Sequence, residues 1–442
     1  MADPRLAVAT ALRDRLRRDL GPDGRIGLVR DYVRGEYQMY MPPGATPEFR
    51  KMAQQSRTPW LPLIVDTFAK SLFVDGYRST DGKDRPAWAY WQANSLDARQ
   101  SIAHRTALTY GDASVLVLPG DPTPVIRPLR VTEVVTGWSD PDAPFPDYAL
   151  VRAGVEWHLY GPQTRLRLGL DDPASDQWIE LGEEAHGMPT CPVVRFRPQL
   201  DDESLGIVRP LLPVQQRIDA IVFATQIALH YGAFRQRWAT GLLIPVDPET
   251  GERVKPFQAS IDRVWTSENQ DTKFGDFAQT DVSGHLQAYL SSVRTLAALS
   301  QTPPTVLLGE LVNLSAEALA ATYDATTRRI EEFQTIFGES WEQVLRVAAA
   351  ADGDADGAAD DAAQVRWRDT EARALAATVD ALGKLSQMLS VPREMLWEMI
   401  PGWTQTDVER AREILAEQQA GEAVNQARAF GLTGLTDDGQ PA

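Results

Sequence analysis

Between residues 113 and 200 apolar side chains recur at every second position in short runs: ASVLVLP, TPVIRPLRV, YALVRAGVEWHLY, TRLRLGL, QWIELG and CPVVRF, separated by Gly, Pro and Asp turns. Such alternation puts one face of a strand on a core and the other toward water, and turns this closely spaced leave no room for helical crossovers. The block predicts an antiparallel meander and excludes a Rossmann unit. On both sides of it the apolar period changes to three and four, so the chain reads as α+β, with strands gathered in one stretch and helices before and after.

Residues 60 to 112 read as mostly helical, with a helix from Ser95 to Tyr110 stopped at Gly111 and with Trp60, Trp88 and Trp91 as core anchors. The helical pattern returns at Gly206, keeps Pro210 and Pro213 at its start and runs toward Arg237. Its centre, Ile218 to Leu229, is apolar on nearly every side, which calls for burial by several neighbours, other copies of the chain among them. Residues 238 to 283, including TSENQDTKFGDFAQTD, read as a compact insertion; Leu286, Tyr289, Val293 and Leu296 then resume a helix that Pro303 and Pro304 end. The stretch TPPTVLLGELVNLSAEAL follows, a stiff apolar connection of the kind a water-facing loop avoids. Three-four spacing then continues from Leu319 to Ala348, with Ser315 as N-cap, Glu317 in the first turn and Leu314 packing on Leu319. Beyond DGDADGAADDAA, Leu375, Val379, Leu382 and Leu389 form a stripe, a further helix starts at Thr406 with Glu409 at capping-box spacing, and the tail from Thr433 reads as disordered.

The 442 residues carry a formal charge of -17, and residues 351 to 442 hold 17 Asp and Glu against 8 Lys and Arg. That balance argues against a protein that grips nucleic acid by neutralising phosphates. The single cysteine, Cys191, excludes an internal disulfide and reads as a small buried hydrophobe. The most apolar segment is too short to span a bilayer and is interrupted by Asp219 and Gln226, so no membrane is expected, and the amino terminus lacks the apolar core of a secretory signal.

No catalytic constellation emerges. His104, His158, His186, His230 and His285 are scattered, without an HExxH pair, and there is no phosphate-binding GxxxxGK[ST] loop. Asp352, Asp354, Asp356 and Gly357 have the opening spacing of a calcium loop, but Ala363 occupies the position where a bidentate Glu is needed, which favours an acidic interhelical turn. Asp140, Asp142 and Asp147 could serve, for example, a magnesium-dependent nuclease, but they sit in the turn-like SDPDAPFPD, which reads as a surface loop. An interaction or assembly protein is therefore expected, with no enzyme activity, metal or cofactor; that metal-dependent enzyme is an alternative.

An ordered set of segments resembles the portal proteins of tailed bacteriophages, in the large group related to the portal of a Bacillus siphophage and common in phages of actinobacteria. It comprises WLPLIVDTFAKSLFVDGYR, WAYWQANSLD, TALTYGDASVLV, GMPTCPVVRF, the helix ending in QRWATG, KFGDFAQTD and TPP..LLG...NLSAEAL, and spans residues 30 to 420. Arg197 and Pro198 stand where such proteins have a polar turn, and Ile221 where they often carry Asn. The resemblance implies a portal fold: a wing at 1 to 205 with helices and an antiparallel β region, stem helices at 206 to 237 and 284 to 300, and a small α/β clip at 238 to 283. It further implies a tunnel loop at 301 to 315, a long wing helix at 316 to 350, crown helices at 351 to 432 and a tail at 433 to 442. The implied assembly is a homo-oligomeric ring, usually dodecameric, at one capsid vertex of the virion, built in the host cytoplasm. Double-stranded DNA would pass through it without sequence specificity during packaging and ejection. The implied tunnel residues are Pro303, Pro304, Val306, Leu307, Leu308, Leu311 and Asn313; Lys273, Phe274, Asp276 and Phe277 of the clip would dock the terminase large subunit and the head-tail adaptor. Ile218, Ile221, Val222 and Phe223 would pack subunits together. Major capsid and scaffolding proteins complete the implied partners. The other alternative is a different head-assembly component, an adaptor or minor capsid protein, which would share the acidity without the paired stem helices and clip.

Overall fold

The computed structural model describes residues 3–39, 41, 43–79, 87–170, 177–200, 204–233, 237–241, 251, 271–276, 281–309, 316–368, 375–400, 402–403 and 405–429. In chain order the elements are α1 (Pro4–Leu20), α2 (Arg25–Arg34), α3 (Pro47–Gln55), α4 (Trp60–Ala69), β1 (Val74–Arg78), α5 (Ala87–Ala93) and α6 (Leu96–Tyr110). The strands β2 (Ala113–Leu118), β3 (Val125–Leu129), β4 (Val134–Gly137), β5 (Tyr148–Ala153), β6 (Glu156–Tyr160), β7 (Thr164–Leu170), β8 (Trp178–Ala185) and β9 (Val193–Phe196) follow. Then come α7 (Leu212–Ala233), β10 (Arg237–Thr240), β11 (Lys273–Asp276), α8 (Ser283–Ser300), α9 (Pro304–Leu308), α10 (Ala316–Asp352) and α11 (Ala355–Ala358). The chain closes with β12 (Gln364–Trp367), α12 (Leu375–Leu389), α13 (Arg393–Leu396) and α14 (Gln405–Ala429). Two compact units result: Met1–Val33, Leu61–Pro210 and Asn313–Ala442 form the first, and Arg34–Trp60 with Leu211–Val312 the second.

The mixed, antiparallel fold expected from the alternating block is present in the first unit, divided between two sheets. Strands β4 to β8 form the meander, each pairing with the next, and Leu150 lies opposite Val135 on one side and Leu159 on the other. Helix α1 covers this sheet: Pro4 presets its first turn, Asp3 accepts a hydrogen bond from the Arg5 N–H at 2.9 Å, and Ala9, Leu12 and Leu16 pack on Val135, Leu150, Leu159, Leu166 and Leu168. The second sheet has the order β3-β2-β9. Here the simple meander fails, because β9 returns to lie beside β2, with Ala113 opposite Phe196. The reason is visible in β2, which is buried at five successive positions and so takes the centre of a sheet, with both edges paired.

Helix α10 supplies the central stripe of this unit. Phe333, Phe337, Trp341, Val344 and Ala348, at three-four spacing, are all buried. Trp341 stands edge-on to Trp91 and Phe196, with ring centroids 4.9 and 4.8 Å apart, and its indole N–H donates to His104 Nε2 at 2.8 Å. With Nε2 accepting, His104 Nδ1–H donates to the Leu72 carbonyl at 3.2 Å, which fixes the neutral tautomer; burial lowers the His104 pKa to about 3. Gly111 ends α6 at φ 87°, and a Cβ there would lie 2.1 Å from the Ser204 carbonyl oxygen, so the predicted stop also requires the absence of a side chain. Strand β1, in a region read as helical, pairs with β12 with a register shift between Val74 and Gly76; VDGYR has no strand periodicity and becomes a strand only through this distant partner.

In the second unit α7 and α8 pack together, α3 lies on α7, α9 follows α8, and β10 pairs with β11. Residues 34 to 60, grouped by sequence with the wing, belong here. Helix α7, the expected first stem helix, follows a single 3-10 turn and spans Leu212–Ala233; Arg237, read as its end, opens β10.

Candidate functional site

The second unit is organised by a carboxylate. An Asp in the apolar run of α7 must find donors or remain ionised at great cost. Asp219, fully buried, accepts from the Thr58 N–H at 3.0 Å, from Gln215 Nε2 at 3.0 and 3.1 Å, and from the Tyr37 hydroxyl. Gln215 Nε2 also donates to the Thr58 carbonyl at 2.6 Å, and Arg57 stacks 5.2 Å above the Tyr37 ring while donating to the Gly35 carbonyl at 2.7 Å. Both ends of the arm formed by residues 34 to 60 are thereby fastened to one turn of α7. Between them α3, capped by Thr46 and started by Pro47, sets Phe49 edge-on to Phe223 at 6.4 Å. Burial raises the Asp219 pKa, opposed by the hydrogen bonds from Tyr37, Gln215 and Thr58 and by Arg57.

This arrangement divides the four residues expected to pack subunits together. Ile218 is fully buried within its own chain, whereas Ile221, Val222 and Phe223 are half-buried. The arm meets α7 at Gln215, Asp219 and Phe223, and no local sequence signal discloses its position. The one available hint was Asp219 itself, an acid in an apolar run.

Helix α8 buries Val293, Leu296 and Ala297. It ends with Gln301 in the left-handed region at φ 54°, the Thr302 N–H donating to the Ala297 carbonyl at 3.0 Å and the Gln301 N–H to that of Ala298 at 3.2 Å, which is a Schellman closure. Pro303 and Pro304 then start α9, and Gly309 at φ 66° ends it. Within the described part of the stiff apolar connection, Pro304–Leu308 form a one-turn helix. Its side chains do not act alike: Pro303 and Leu307 are buried, Leu307 at 4% exposure, Val306 and Leu308 are half-buried, and Pro304 is exposed. Leu307 is therefore a core residue of this unit. Leu311 and Asn313 lie outside the described residues.

Strands β10 and β11 form an antiparallel hairpin base with Trp238 opposite Gly275 and Ala239 opposite Phe274. Lys273 and Phe274 are exposed, Phe274 at 41%, and Asp276 pairs with Arg237 in register. Phe277 lies outside the described residues.

The remaining candidates are used structurally. Asp354 caps α11 by accepting from the Gly357 N–H at 3.0 Å, Asp352 accepts from the Tyr90 hydroxyl at 2.6 Å, and Asp360 accepts from Ser79 at 3.0 Å, so the acidic turn spends its carboxylates on separate partners. Asp140 accepts from the Asp142 N–H at 3.0 Å and Asp147 from the Ser139 hydroxyl at 3.1 Å. Among the described residues no group of three or more His, Cys, Asp or Glu is placed to hold a metal ion, and no helix is long and apolar enough to cross a membrane. Cys191 is buried, and burial pushes its thiol pKa up to about 12.

The family of phage portal proteins described as SPP1 Gp6-like matches residues 24–422. The chain belongs to that family, and its function is that of a phage portal protein. It is similar to the portal protein of Mycobacterium phage D29, 25% identical over 362 residues covering 73% of this chain and 71% of that one. Similarity to the portal protein of Mycobacterium phage L5 is 26% over 349 residues, with the same 73% and 71% coverage. Among solved structures it is similar to a chain from the virion of a native gene transfer agent particle, with TM-score 0.47 and 13% identity, covering 84% of this chain and 98% of that one. A chain from the neck of the native particle computed with C12 symmetry gives TM-score 0.47 and 12% identity, with coverage of 86% and 94%.

Proposed function

We propose that copies of this chain close into a ring, usually of twelve, at one capsid vertex, with the α7 and α8 pairs side by side around a channel through which double-stranded DNA enters and leaves the head. The family match across residues 24–422 carries this reading. It is supported by Ile221 and Val222, half-buried apolar residues of α7 that a neighbouring copy would cover. The β10–β11 hairpin, with Lys273 and Phe274 exposed, docks the terminase large subunit during packaging and the head-tail adaptor afterwards. Residues 301 to 315 form the constriction, with Val306 and Leu308 at its surface. The ring meets scaffolding and major capsid proteins as the head assembles in the host cytoplasm, and stays in the virion.

Negative-stain imaging of the purified chain, beside light scattering, tests the reading. Closed rings with a central hole are expected at micromolar concentration and moderate salt. A monodisperse monomer, with and without scaffolding protein, refutes it.

A further inference from the structure

Helices α12, α13 and α14 are joined to the rest of the first unit by very little buried surface. Among the described residues from 378 to 426, Leu396 and Val408 alone are buried, while Val379, Met388, Leu389, Met395 and Met399 are exposed. Helix α10, by contrast, buries Phe333, Phe337, Trp341, Val344 and Ala348 along one stripe. A segment seated on so few apolar side chains belongs to the low-stability end of a structure, where opening is local and leaves the remaining fold intact.

The two buried residues belong to one small anchor. Leu396 ends α13 and leads into a 3-10 turn, Trp397–Met399; Val408 lies in the first turn of α14, which packs on that turn and on β1. Gln405 lies over Gly76 of β1, where a Cβ would come 2.9 Å from its Oε1. The ionic contact from this anchor to β1 is made by Glu398. Its carboxylate accepts from Arg78 of β1 and, at 3.0 Å, from Arg412 of α14. The Glu398 side chain is 15% exposed, against 65% for Arg78 and 40% for Arg412. The acid is therefore largely withdrawn from water, whereas both guanidinium groups can return to solvent when it is neutralised.

We propose that the segment from α12 to α14 is a strap that opens at this anchor, and that Glu398 is the clasp that closes it on β1, positioned for Arg78 by Arg412. Closed, the strap seats Val408 and covers Gly76; open, it returns both to water. Because Arg78 and Arg412 are partly solvated, the clasp is of modest strength and weakens as salt rises. Every contact lies within one protomer, so the strap stands apart from the ring reading above.

The test follows the reaction of a thiol with N-ethylmaleimide, a neutral reagent, in the full-length chain carrying Val408→Cys. Cys191 is buried, with its thiol pushed up to about 12, and so serves as the internal reference for opening of the core. Adding Glu398→Gln should raise the labelling rate at position 408 by about two- to ten-fold while Cys191 stays unreactive. Arg78→Gln should give a similar rise, and the double variant no further rise, since both changes remove one contact. From about 0.1 to 1 M NaCl, over which the Debye length falls from about 10 to 3 Å, the rate should climb with Glu398 in place and stay level with Glu398→Gln. If Val408→Cys prevents folding, Gln405→Cys reports in its place. An unchanged rate with Glu398→Gln, additive effects of Glu398→Gln and Arg78→Gln, an equal salt response with and without the carboxylate, or labelling that occurs only together with Cys191 overturns the proposal.

Discussion

Leu307 and Leu308 are adjacent in the sequence and equal in hydrophobicity, yet the structure assigns them opposite consequences on truncation. Leu307 is 4% exposed, in a one-turn helix held by the closure of α8 on one side and by Gly309 on the other. Because both ends of α9 are pinned, the site has little freedom to collapse, and Leu307→Ala should cost about 3 kcal/mol through lost transfer energy and a residual cavity. Leu308 is half-buried, so Leu308→Ala removes less area from the core and should cost about 1 kcal/mol or less. Urea unfolding of the two variants, followed by a far-ultraviolet signal and analysed at constant m, reads the difference directly. On the proposed ring the functional readout inverts the order: heads assembled with Leu308→Ala should start packaging but retain less DNA, because the surface of the proposed constriction is altered while its scaffold stands. The reasoning fails if the two variants lose equal stability, or if Leu307→Ala unfolds like wild type while Leu308→Ala retains DNA normally.

Asp219→Ala leaves the Thr58 N–H, the Gln215 amide and the Tyr37 hydroxyl facing an empty site and should cost about 3 kcal/mol; limited proteolysis is expected to cleave within residues 34 to 60 before α7, and cleavage elsewhere first would refute the tether. His104 supplies a pH dependence of definite sign: its folded pKa, lowered to about 3 by burial, lies below the unfolded value of 6.5, so its contribution is fully present above pH 6.5 and is lost as pH falls toward 3, by about 1.4 kcal/mol per pH unit. Asp75, Asp219 and Glu342, raised by burial, contribute with the opposite sign, since the folded chain holds their protons more tightly than the unfolded chain does. Stability measured from pH 7 to 5 should therefore fall less steeply in His104→Gln than in wild type, and parallel curves would refute the assignment.

Periodicity and punctuation in the sequence disclose much of this fold. The alternation from 113 to 200 carried the antiparallel strands, the three-four stripe of Phe333, Phe337 and Trp341 carried α10, and Gly111 and the proline pair carried their stops, because each of these is decided by neighbours within a turn or two of the chain. The ordered segments from Trp60 onward also carried the family. Placement of side chains at the candidate site was a different matter. Whether Leu307 or Leu308 is buried depends on how α9 folds back from α8, and whether Ile218 faces a neighbour or its own core depends on where the arm at 34 to 60 comes to rest. Likewise VDGYR is a strand only because QVRW reaches it, and β9 returns to β2 only because β2 has two edges to satisfy. These outcomes turn on contacts between residues far apart in the chain, where a hydrophobic period specifies that a face is buried but not which surface buries it. The sequence by itself determined the kinds of elements, their order and the kinship; the tertiary structure alone decided which of two adjacent leucines is core and that one carboxylate fastens both ends of the arm, because both depend on contacts between residues far apart in the chain.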